Sequence, residues 1–421
     1  MKVLMITPYV TIEGRPEFER NKTGFGYMVM DIAKAVGKKE HVDVLATDTR
    51  GGRFEHEGVK FLKRSIVTYL LSLYNCMSLG TLFGLRKNYS MSNDAFVRLV
   101  YYWLMTGYLG QLLKNEKYDI VHVHGCGFAT NLWMKVCKQC DQKYLVTLHG
   151  LNSFSDTVNI SPAGKQYERD FLKRVVKGEF PITVISTGMK RLIEKTCGVM
   201  DCKEITVVCN SHSFGNADSS ISSGQVPKIS NGSKSIREKY NIPLTAKVLL
   251  YVGNISENKN QRQMVEAFDL LPEEMRNNTW ELFCGRPSMD GRFEEYARNR
   301  SYSDHLILCG AVKKSEMSNY FMEADGVVLL SHSEGFGLSL VEGMHFGVPC
   351  AMFNDMDAFE DIYDERAVVA IGNRNNEAVA LALRDLLLKE WDMEAIKDSS
   401  KRFESGMMAH NYIKVYQNTL K

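Results

Sequence analysis

The chain has 421 residues, of which 44% are hydrophobic and 24% are charged. This length exceeds the size at which one hydrophobic core keeps growing, and the composition is typical of a globular protein rather than a disordered, fibrous or polytopic membrane chain. The 52 basic and 50 acidic residues give a formal net charge of +2, which excludes a global basic field for collecting nucleic acid. We therefore expect two globular domains that bind any anionic ligand locally.

The first residues, MKVLMITPYV, form a strand pattern at once. They lack the apolar core and cleavage site of a secretory signal, so we expect a cytoplasmic protein. Ten cysteines are scattered along the chain, several of them inside strand-like runs, as expected of reduced, buried thiols. Cys137 and Cys140 form a CxxC pair, but no second pair follows at zinc-ribbon spacing and their segment reads as a helix. Metal or redox chemistry is therefore disfavoured.

Short apolar runs alternate with longer amphipathic stretches through the first half of the chain. The runs are KVLMIT, VDVLAT, DIVHVH, KYLVTLH, ITVIS and EITVVCN. Such runs are typical of strands buried on both faces of a parallel sheet with helical crossovers. They predict a Rossmann-like α/β domain over residues 1–210.

The second half repeats this pattern after a break in composition. Residues 211–235 are rich in Ser, Gly and Asn and have no apolar period, which predicts a linker. The runs KVLLYVG, WELFCG, HLILCG, GVVLLS and VPCAMF then predict a second Rossmann-like domain over 236–397. Residues 398–421 have helical spacing and are predicted to form a C-terminal helix that packs back on the first domain.

Residues 64–110 exceed what a minimal Rossmann half requires, and we predict a helical insertion there. Within it, Ser65 to Leu85 is uncharged and is bounded by Lys63-Arg64 and Arg86-Lys87, so its length is close to that of a membrane span. A single span would leave the strands before and after it on opposite sides of the bilayer, although both must join one sheet. Two alternatives stay open: helices that complete the core, or an apolar, basic-flanked surface that touches lipid headgroups.

The segment SHSEGFGLSLVEGMHFGVP carries the clearest chemical pattern. Glu334 follows an apolar strand, a glycine-bracketed turn comes next, and the helix that follows contains Glu342. In an open parallel sheet, ligands bind beyond the carboxyl ends of the strands, which is where this turn lies. Free amides around Phe336, Gly337 and Leu338 can hold phosphate oxygens, and carboxylates can accept hydrogen bonds from sugar and ribose hydroxyls. The segment therefore predicts a site for an activated nucleotide sugar.

At these residues the chain resembles glycosyltransferase family 4, a large group of retaining enzymes with the GT-B fold. The resemblance runs from Ser331 to Pro349 and extends through YDIVHVHG, VTLHG, ITVIS, ITVVCN and YVGNISENKNQ. It implies two Rossmann-like domains that face each other across a cleft. It also implies transfer of a sugar from a nucleoside diphosphate to an acceptor hydroxyl, with retention of anomeric configuration and without a metal or other cofactor.

The resemblance also implies roles for individual residues. Glu334 would contact the transferred sugar, and Glu342 the nucleotide ribose. Lys259 falls where the family has a lysine on the donor diphosphate, and a fixed ammonium there would stabilise charge on the leaving oxygen. His149, at the end of YLVTLHG, falls where family members have a histidine that hydrogen-bonds the transferred sugar. His149, Lys259 and Glu334 are therefore the expected catalytic residues.

Gly24 and Gly26 are predicted to lie in a loop between the first strand and a helix. A dinucleotide fingerprint would place a third glycine at Val29, so an oxidoreductase is disfavoured. In the family the corresponding loop closes over the donor phosphate, which makes Gly26 a candidate donor contact, and a plain tight turn is the alternative. His122 and His124 alternate along their strand and share a face, where packed, hydrogen-bonded residues are favoured over a metal pair.

Three positions depart from the family pattern. Asn254, still a predicted donor contact, stands where the family usually has an arginine, and Arg262 is a candidate substitute. Met356 and Asp357 stand where the family often has two glycines, and an acidic side chain there would repel a diphosphate unless it points away. With Asp355, Asp357 also forms a DxD pattern, a metal motif of the other main glycosyltransferase fold that we interpret as coincidence.

The sequence thus predicts a glycosyltransferase that uses a nucleotide sugar and a glycan or lipid-linked acceptor, in surface-polysaccharide biosynthesis. We expect it in the cytoplasm, with contact at the inner face of the membrane left open. Two alternative functions stay open. One is another GT-B enzyme, such as a sugar-nucleotide epimerase or a phosphorylase. The other is a non-catalytic partner subunit that has kept the fold, for which Asn254 is the supporting feature.

Overall fold

The structure, a computed structural model, describes residues 1–19, 24–75, 78–154, 160–212, 214 and 235–421. It divides into a first unit, Met1–Asn210 with Ser405–Lys421, and a second unit, Ser211–Glu404. Most of the predicted linker, 211–235, lies outside the described residues. Each unit is built on its own sheet.

The first unit contains an eight-stranded sheet. Its strands are β1 (Lys2–Thr7), β2 (His41–Ala46), β3 (Phe54–His56), β4 (Val59–Phe61), β5 (Ile120–His124), β6 (Tyr144–Leu148), β7 (Ile182–Val184) and β8 (Ile205–Val207). Their order is β3-β4-β2-β1-β5-β6-β7-β8, and all pairs are parallel except the β3–β4 hairpin. The hairpin was not predicted, because its strands have three residues each and no continuous apolar run.

Seven α-helices lie before β8 in the part of the first unit that the structure describes. They are α1 (Gly24–Gly37), α2 (Ile66–Leu70), α3 (Leu79–Asn88), α4 (Asn93–Asn115), α5 (Phe128–Gln139), α6 (Pro162–Val176) and α7 (Thr187–Cys197). Helices α2 to α4 form the predicted insertion, which continues to Asn115. Within the described ranges, no helix is both long and apolar enough to cross a membrane.

The second unit contains a six-stranded parallel sheet. Its strands are β9 (Lys247–Val252), β10 (Thr279–Cys284), β11 (Leu306–Gly310), β12 (Gly326–Leu329), β13 (Cys350–Phe353) and β14 (Val368–Ile371), in the order β11-β10-β9-β12-β13-β14. Five of these strands coincide with predicted runs, whereas β14 is short and partly exposed and does not stand out in the sequence. The chain order reverses at β9, which lies between β10 and β12.

In the described residues of the second unit, nine α-helices precede the return of the chain to the first unit. They are α8 (Ile236–Tyr240), α9 (Gln261–Phe268), α10 (Glu273–Asn277), α11 (Arg292–Arg298), α12 (Lys314–Met322), α13 (Leu338–His345), α14 (Phe359–Ile362), α15 (Asn376–Leu388) and α16 (Met393–Ser400). The last helix, α17 (Ser405–Leu420), belongs to the first unit and packs on α1. The predicted return of the C-terminal helix is confirmed, but it begins at Ser405 because residues 398–404 stay with the second unit.

Glu281 is a buried carboxyl group in the middle of the second sheet. It lies in β10, has no solvent exposure, and neither of its carboxyl oxygens has a hydrogen-bond partner in the described part of the chain. Burial, with a smaller contribution from Asp269, raises its pKa well above the ordinary value. Because ionisation of this group without a partner would be costly, the folded protein holds it protonated.

We predict that Glu281→Gln stabilises the protein increasingly as the pH rises. The pKa of Glu281 is higher in the folded state than its ordinary value of 4.5. Its contribution to stability is therefore fully present at pH values below 4.5, and it is lost as the pH rises through the folded-state pKa. Glutamine does not ionise, so the variant's advantage in free energy of unfolding should grow by up to about 1.4 kcal/mol per pH unit. Urea unfolding at about pH 5 and about pH 8 measures this difference.

The matched control for this experiment is Glu273→Gln, which changes an exposed carboxylate in α10 of the same unit. Its free energy of unfolding relative to the unsubstituted protein should be the same at both pH values. A Glu281→Gln advantage that does not change with pH would show that the buried carboxyl group is not held protonated.

Candidate active site

The candidate site in the second unit lies where the strand order reverses. Loops that follow β9 and β12 leave the same edge of the sheet at this point, which is the usual position of ligands in open α/β sheets. Lys259 lies on the first loop and Glu334 on the second. The structure brings the two together, because Nζ of Lys259 forms an ion pair with Oε2 of Glu334. Both side chains are partly buried, so this ion pair is less screened than one on an open surface.

Asn258 fastens the two loops to each other. Its side-chain amide donates to the carbonyl of Ser333 at 3.0 Å, and its Oδ1 accepts from the N–H of Ser333 at 3.1 Å. The N–H of His332 also donates to the backbone carbonyl of Asn258 at 2.8 Å. These bonds fix the residue before Glu334 and thereby the start of the carboxylate's side chain. No periodic signal marks Asn258 in the sequence ENKNQR, and it was not predicted.

Two buried polar side chains support the Lys259 loop, one from β9 and one from the start of α9. The Tyr251 hydroxyl donates to the carbonyl of Lys259 and accepts from the N–H of Leu330 at 3.0 Å, so one side chain holds both loops. Gln261 donates at 3.2 Å to the carbonyls of each of the two residues that follow β9. Both residues are almost completely buried. Their hydrogen bonds therefore hold the backbone of the Lys259 loop, and of the second loop at Leu330, without using the side chains of Lys259 and Glu334.

Asn254, which replaces the family's arginine, lies beside an arginine from the neighbouring strand. Its Oδ1 accepts a hydrogen bond from the N–H of Arg286 at 3.1 Å. Gly285 makes this approach feasible, because a Cβ on it would collide with the carbonyl of Gly253. Arg286 is exposed and is separated from β10 only by Gly285. Arg286 was not predicted from the sequence. The one pattern that could have indicated it is a cation that follows a strand and a glycine.

Arg262, the predicted substitute for the missing arginine, is held elsewhere. Its Nε donates to Oε1 of Glu266 at 2.8 Å within α9, and its guanidinium lies 4.4 Å from the centre of the Tyr296 ring in α11. These contacts place it on the outer face of α9. The prediction that Arg262 compensates for Asn254 is therefore not supported, and Arg286 is the arginine beside Asn254.

The turn after Glu334 has the geometry predicted for a helix start. Gly337 has φ of +93°, a left-handed conformation that favours glycine, and α13 begins at the next residue, Leu338. Phe336 is buried with its ring 5.7 Å from that of Phe403, so its side chain serves the core. Amides in the first turn have no partner within a helix and lie at its positive end. Glu342 lies on α13, partly exposed, and its predicted contact with ribose stays a prediction.

The Asp355-Met356-Asp357 segment does not present two free carboxylates. Arg374 binds both oxygens of Asp355 at 2.8 Å and also donates to the carbonyl of Ser331 at 3.2 Å. Met356 is buried. Burial, followed by the charges of Glu334 and Asp355, raises the pKa of Asp357 to about 6. Among the described residues, no group of three or more His, Cys, Asp or Glu side chains could hold a metal ion.

In the first unit, His149 follows β6 at the carboxyl edge of the sheet. Its Nε2 lies 3.1 Å from Nδ1 of His124, and the ring of Phe25 packs edge-on against it with centroids 5.0 Å apart. Burial lowers the pKa of His149 to about 3, so its imidazole is neutral. His122 and His124 are fully buried, and His122 is hydrogen-bonded to Tyr416. The strand histidines are thus packed and hydrogen-bonded, as the sequence analysis favoured.

Gly24 and Gly26 lie inside α1 in the structure, so the prediction that they form a loop before the helix is wrong. Gly26 is buried, and a Cβ on it would collide with Oγ1 of Thr11. Its carbonyl accepts from the N–H of Thr11 at 3.1 Å. Close packing of the loop after β1 therefore explains this glycine, whereas its contact with a donor stays a prediction.

Comparisons with known proteins agree with this arrangement. A family model described as glycosyl transferases group 1 matches residues 232–403, and one described as glycosyltransferase family 4 matches residues 23–211. A D-inositol 3-phosphate glycosyltransferase of Xylanimonas cellulosilytica is 27% identical over 124 residues, which span 30% of each chain. The putative teichuronic acid biosynthesis glycosyltransferase TuaC of Bacillus subtilis is 22% identical over 309 residues, 72% of this chain and 71% of TuaC.

The fold itself is shared with solved glycosyltransferases. Anabaena HepE, solved in complex with UDP and glucose, superposes with a TM-score of 0.64 at 13% identity, over 99% of this chain and 100% of that one. The chain is therefore a glycosyltransferase with the GT-B fold. The predicted fold class and enzyme class are confirmed. The chain belongs to glycosyltransferase family 4, the family that its signature residues resemble.

We predict that Asn258→Ala loosens the Glu334 loop while leaving the fold intact. The substitution removes both side-chain bonds to Ser333 and leaves that residue's N–H without its partner. A loss of about 1.4 kcal/mol of local stability corresponds to about tenfold faster amide exchange. Hydrogen exchange read by mass spectrometry on the 331–337 peptide measures it. Asn277→Ala, an exposed change in α10, is the control, and equal exchange in both variants would disprove the fastening role of Asn258.

Proposed function

We propose that this enzyme transfers a sugar from a nucleoside diphosphate to an acceptor hydroxyl, with retention of anomeric configuration and without a metal. The observation that carries the proposal is the Lys259–Glu334 ion pair at the point where the strand order reverses. It puts a cation suited to a diphosphate beside an acceptor suited to sugar hydroxyls. The complex of HepE with UDP and glucose supports a donor of this kind.

The charges around the pair suit an anionic donor. The ammonium of Lys259, the first-turn amides of α13 at Gly337 and Leu338, and the exposed Arg286 would bind the diphosphate oxygens. A diphosphate competes with Glu334 for Lys259. When it does so, the Glu334 carboxylate accepts hydrogen bonds from the sugar instead. Donor binding would thus exchange one ion pair for another while it recruits the carboxylate.

The proposed reaction needs no enzymic nucleophile. The bond between the sugar's anomeric carbon and the diphosphate oxygen breaks, and the acceptor oxygen bonds to the same face of that carbon. The acceptor's proton passes to the departing diphosphate, which is the base. Lys259 and the α13 amides stabilise the charge that develops on the leaving oxygen. His149 hydrogen-bonds the transferred sugar, Glu342 binds the ribose, and Gly26 and Asn254 are further donor contacts.

We predict that Lys259→Met lowers kcat/KM at least about 100-fold, because a transition-state charge loses a cation worth roughly 3 kcal/mol. Glu334→Ala should be similarly inactive. The matched control is Arg262→Met, a cation three residues away that pairs with Glu266, and it should change kcat/KM less than about twofold. A thermal-shift screen of nucleotide sugars first identifies the donor, and rates are then measured with a chelator present.

The outcomes separate the parts of the proposal. Full activity in Lys259→Met or Glu334→Ala would refute the site, and loss of activity with the chelator would refute metal independence. The anomeric configuration of the product, read by NMR, tests retention, and an inverted product would contradict it. Isomerisation of the donor in the absence of any acceptor would instead indicate an epimerase.

We further propose a lipid-linked acceptor in surface-polysaccharide synthesis, with the first unit in contact with anionic membrane. Nine of the eighteen exposed large hydrophobic side chains of the described residues lie between residues 66 and 97. This apolar surface consists of Ile66, Val67, Leu70, Leu71, Leu73, Tyr74, Leu79, Phe83 and Val97. The similarity to TuaC, whose name places it in teichuronic acid biosynthesis, supports the surface-polymer context.

The charges around the apolar surface favour anionic lipid as its partner. Lys63, Lys87 and Arg98 are exposed around it, and Asp94 is the one acidic residue between Lys63 and Arg98. Apolar side chains with a basic border are typical of helices that lie at the headgroup level of a bilayer. Attraction to anionic lipid would add to the gain from burying the apolar side chains.

We predict that the enzyme cofloats with phosphatidylglycerol-containing vesicles and much less with neutral phosphatidylcholine vesicles. A Leu71→Glu, Tyr74→Glu double variant should bind at least about tenfold more weakly, because it removes apolar area and adds negative charge. The matched control is Leu244→Glu with Met289→Glu, two highly exposed apolar side chains of the second unit. Binding that is absent in the unsubstituted protein, or equal in both double variants, would rule out this surface as the membrane contact.

A further inference from the structure

A set of hydrogen-bonded side chains lies behind His149 at the carboxyl edge of the first sheet. Nε2 of His149 is 3.1 Å from Nδ1 of His124, which ends the neighbouring strand β5. The other two ring nitrogens of this pair, Nδ1 of His149 and Nε2 of His124, are buried and have no hydrogen-bond partner among the described residues. A buried polar atom without a partner is costly, so the placement of hydrogens in this pair is strongly constrained.

Both rings are neutral, which leaves two arrangements of their hydrogens. Burial lowers the pKa of His149 to about 3 and that of His124 well below its ordinary value. In the first arrangement, His124 donates from Nδ1, and His149 carries its hydrogen on Nδ1. In the second, His149 donates from Nε2, and His124 carries its hydrogen on Nε2. The two arrangements give His149 opposite chemical characters, because its Nδ1 is a donor in the first and an acceptor in the second.

The burial of His124 decides between the two. Its side chain has no solvent exposure, so neither water nor a ligand can satisfy its Nε2. Each arrangement leaves one buried N–H without a partner among the described residues, on Nδ1 of His149 in the first and on Nε2 of His124 in the second. The side chain of His149 is partly exposed, so an acceptor can reach its N–H after a small movement, whereas none can reach the N–H of the fully buried His124. Orphaned buried N–H groups are rarer in proteins than acceptors that lack a donor. The first arrangement is therefore the more stable, and the hydrogen of His149 is on Nδ1.

We propose that His124 is a positioning residue, which donates a hydrogen bond to Nε2 of His149 and so fixes His149 as a donor through Nδ1. The proposal deepens the proposed function and rests on it for the contact between His149 and the transferred sugar. A donor at Nδ1 can bond to a sugar oxygen but cannot take the acceptor's proton. His149 is thereby excluded as the base, in agreement with the proposed transfer of that proton to the departing diphosphate. Phe25 packs against the ring of His149, and Nδ1 of His149 is buried. For the sugar to contact Nδ1, the side chains around His149, including Phe25, must move.

The first test is NMR of the full-length enzyme labelled with nitrogen-15 in histidine. Long-range proton–nitrogen correlations distinguish protonated from bare ring nitrogens, and His149→Gln identifies the signals of His149. The expected result is a protonated Nδ1 and a bare Nε2 on His149 from about pH 6 to about pH 8. A protonated Nε2, or an average of the two tautomers, would overturn the proposal. This measurement uses the unsubstituted protein and does not depend on the folding of a variant.

The second test compares two substitutions of His124 in the identified transfer reaction. His124→Leu cannot donate to His149, so it should lower kcat about tenfold with a smaller change in the KM for the donor. His124→Asn keeps an N–H near the position of Nδ1, so its kcat should stay within about threefold of the unsubstituted enzyme. The matched control is His122→Leu, which lies on the same strand, is equally buried, and bonds to Thr147 and Tyr416 instead.

The His122→Leu control separates the effect of His124 on the position of His149 from a general loss of stability. His122→Leu should lose stability in thermal unfolding while its kcat per folded molecule is unchanged. An unchanged kcat in His124→Leu, or an equal fall in His122→Leu, would overturn the positioning role. If His149→Gln keeps full activity while NMR gives the expected tautomer, then the sugar contact in the proposed function fails and the assignment of the His124 hydrogen bond stands.

Discussion

The ion pair between Lys259 and Glu334 depends on the reversal of strand order at β9, and most features of the candidate site depend on that pair. A parallel sheet that continued in one direction would send successive loops to the same side. The reversal instead opens a gap between two loops at the carboxyl edge. The side chains of Tyr251 and Asn258 join the two loops by hydrogen bonds to their backbone groups. The charged pair is thus positioned by residues other than those proposed to contact the donor.

The three carboxyl groups in and near the Glu334 loop are each stabilised in a different way. Glu334 is paired with Lys259, Asp355 is bound by two nitrogens of Arg374, and burial raises the pKa of Asp357 to about 6. Partly buried carboxylates need such partners, because desolvation without compensation costs several kcal/mol. The arrangement explains how an acidic segment can stand beside a loop suited to a diphosphate. The charge of Asp355 is offset by Arg374, and the side chain of Met356 is buried.

Patterns with a physical period or a strong local signal could be predicted from the sequence. The long buried strands, the turn at Gly337 and the placement of Glu334 follow from apolar runs and glycine positions. Features that depend on contacts between distant residues could not. Asn258 reaches across to Ser333, and Arg286 reaches Asn254, through pairings that no local window contains. Gly26 was misplaced for the same reason, since its glycine is required by Thr11 rather than by a loop.

The loss of the family's arginine at position 254 and the presence of Arg286 can be explained together. Asn254 accepts a hydrogen bond from the N–H of Arg286 through Oδ1, and an arginine side chain has no acceptor with which to do so. The asparagine therefore anchors the start of the segment that carries Arg286, while Gly285 allows the two backbones to approach. In the proposed function, Arg286 would supply from the loop after β10 the cation that the loop after β9 lacks. Asn254 is thus compatible with the proposed binding of a diphosphate.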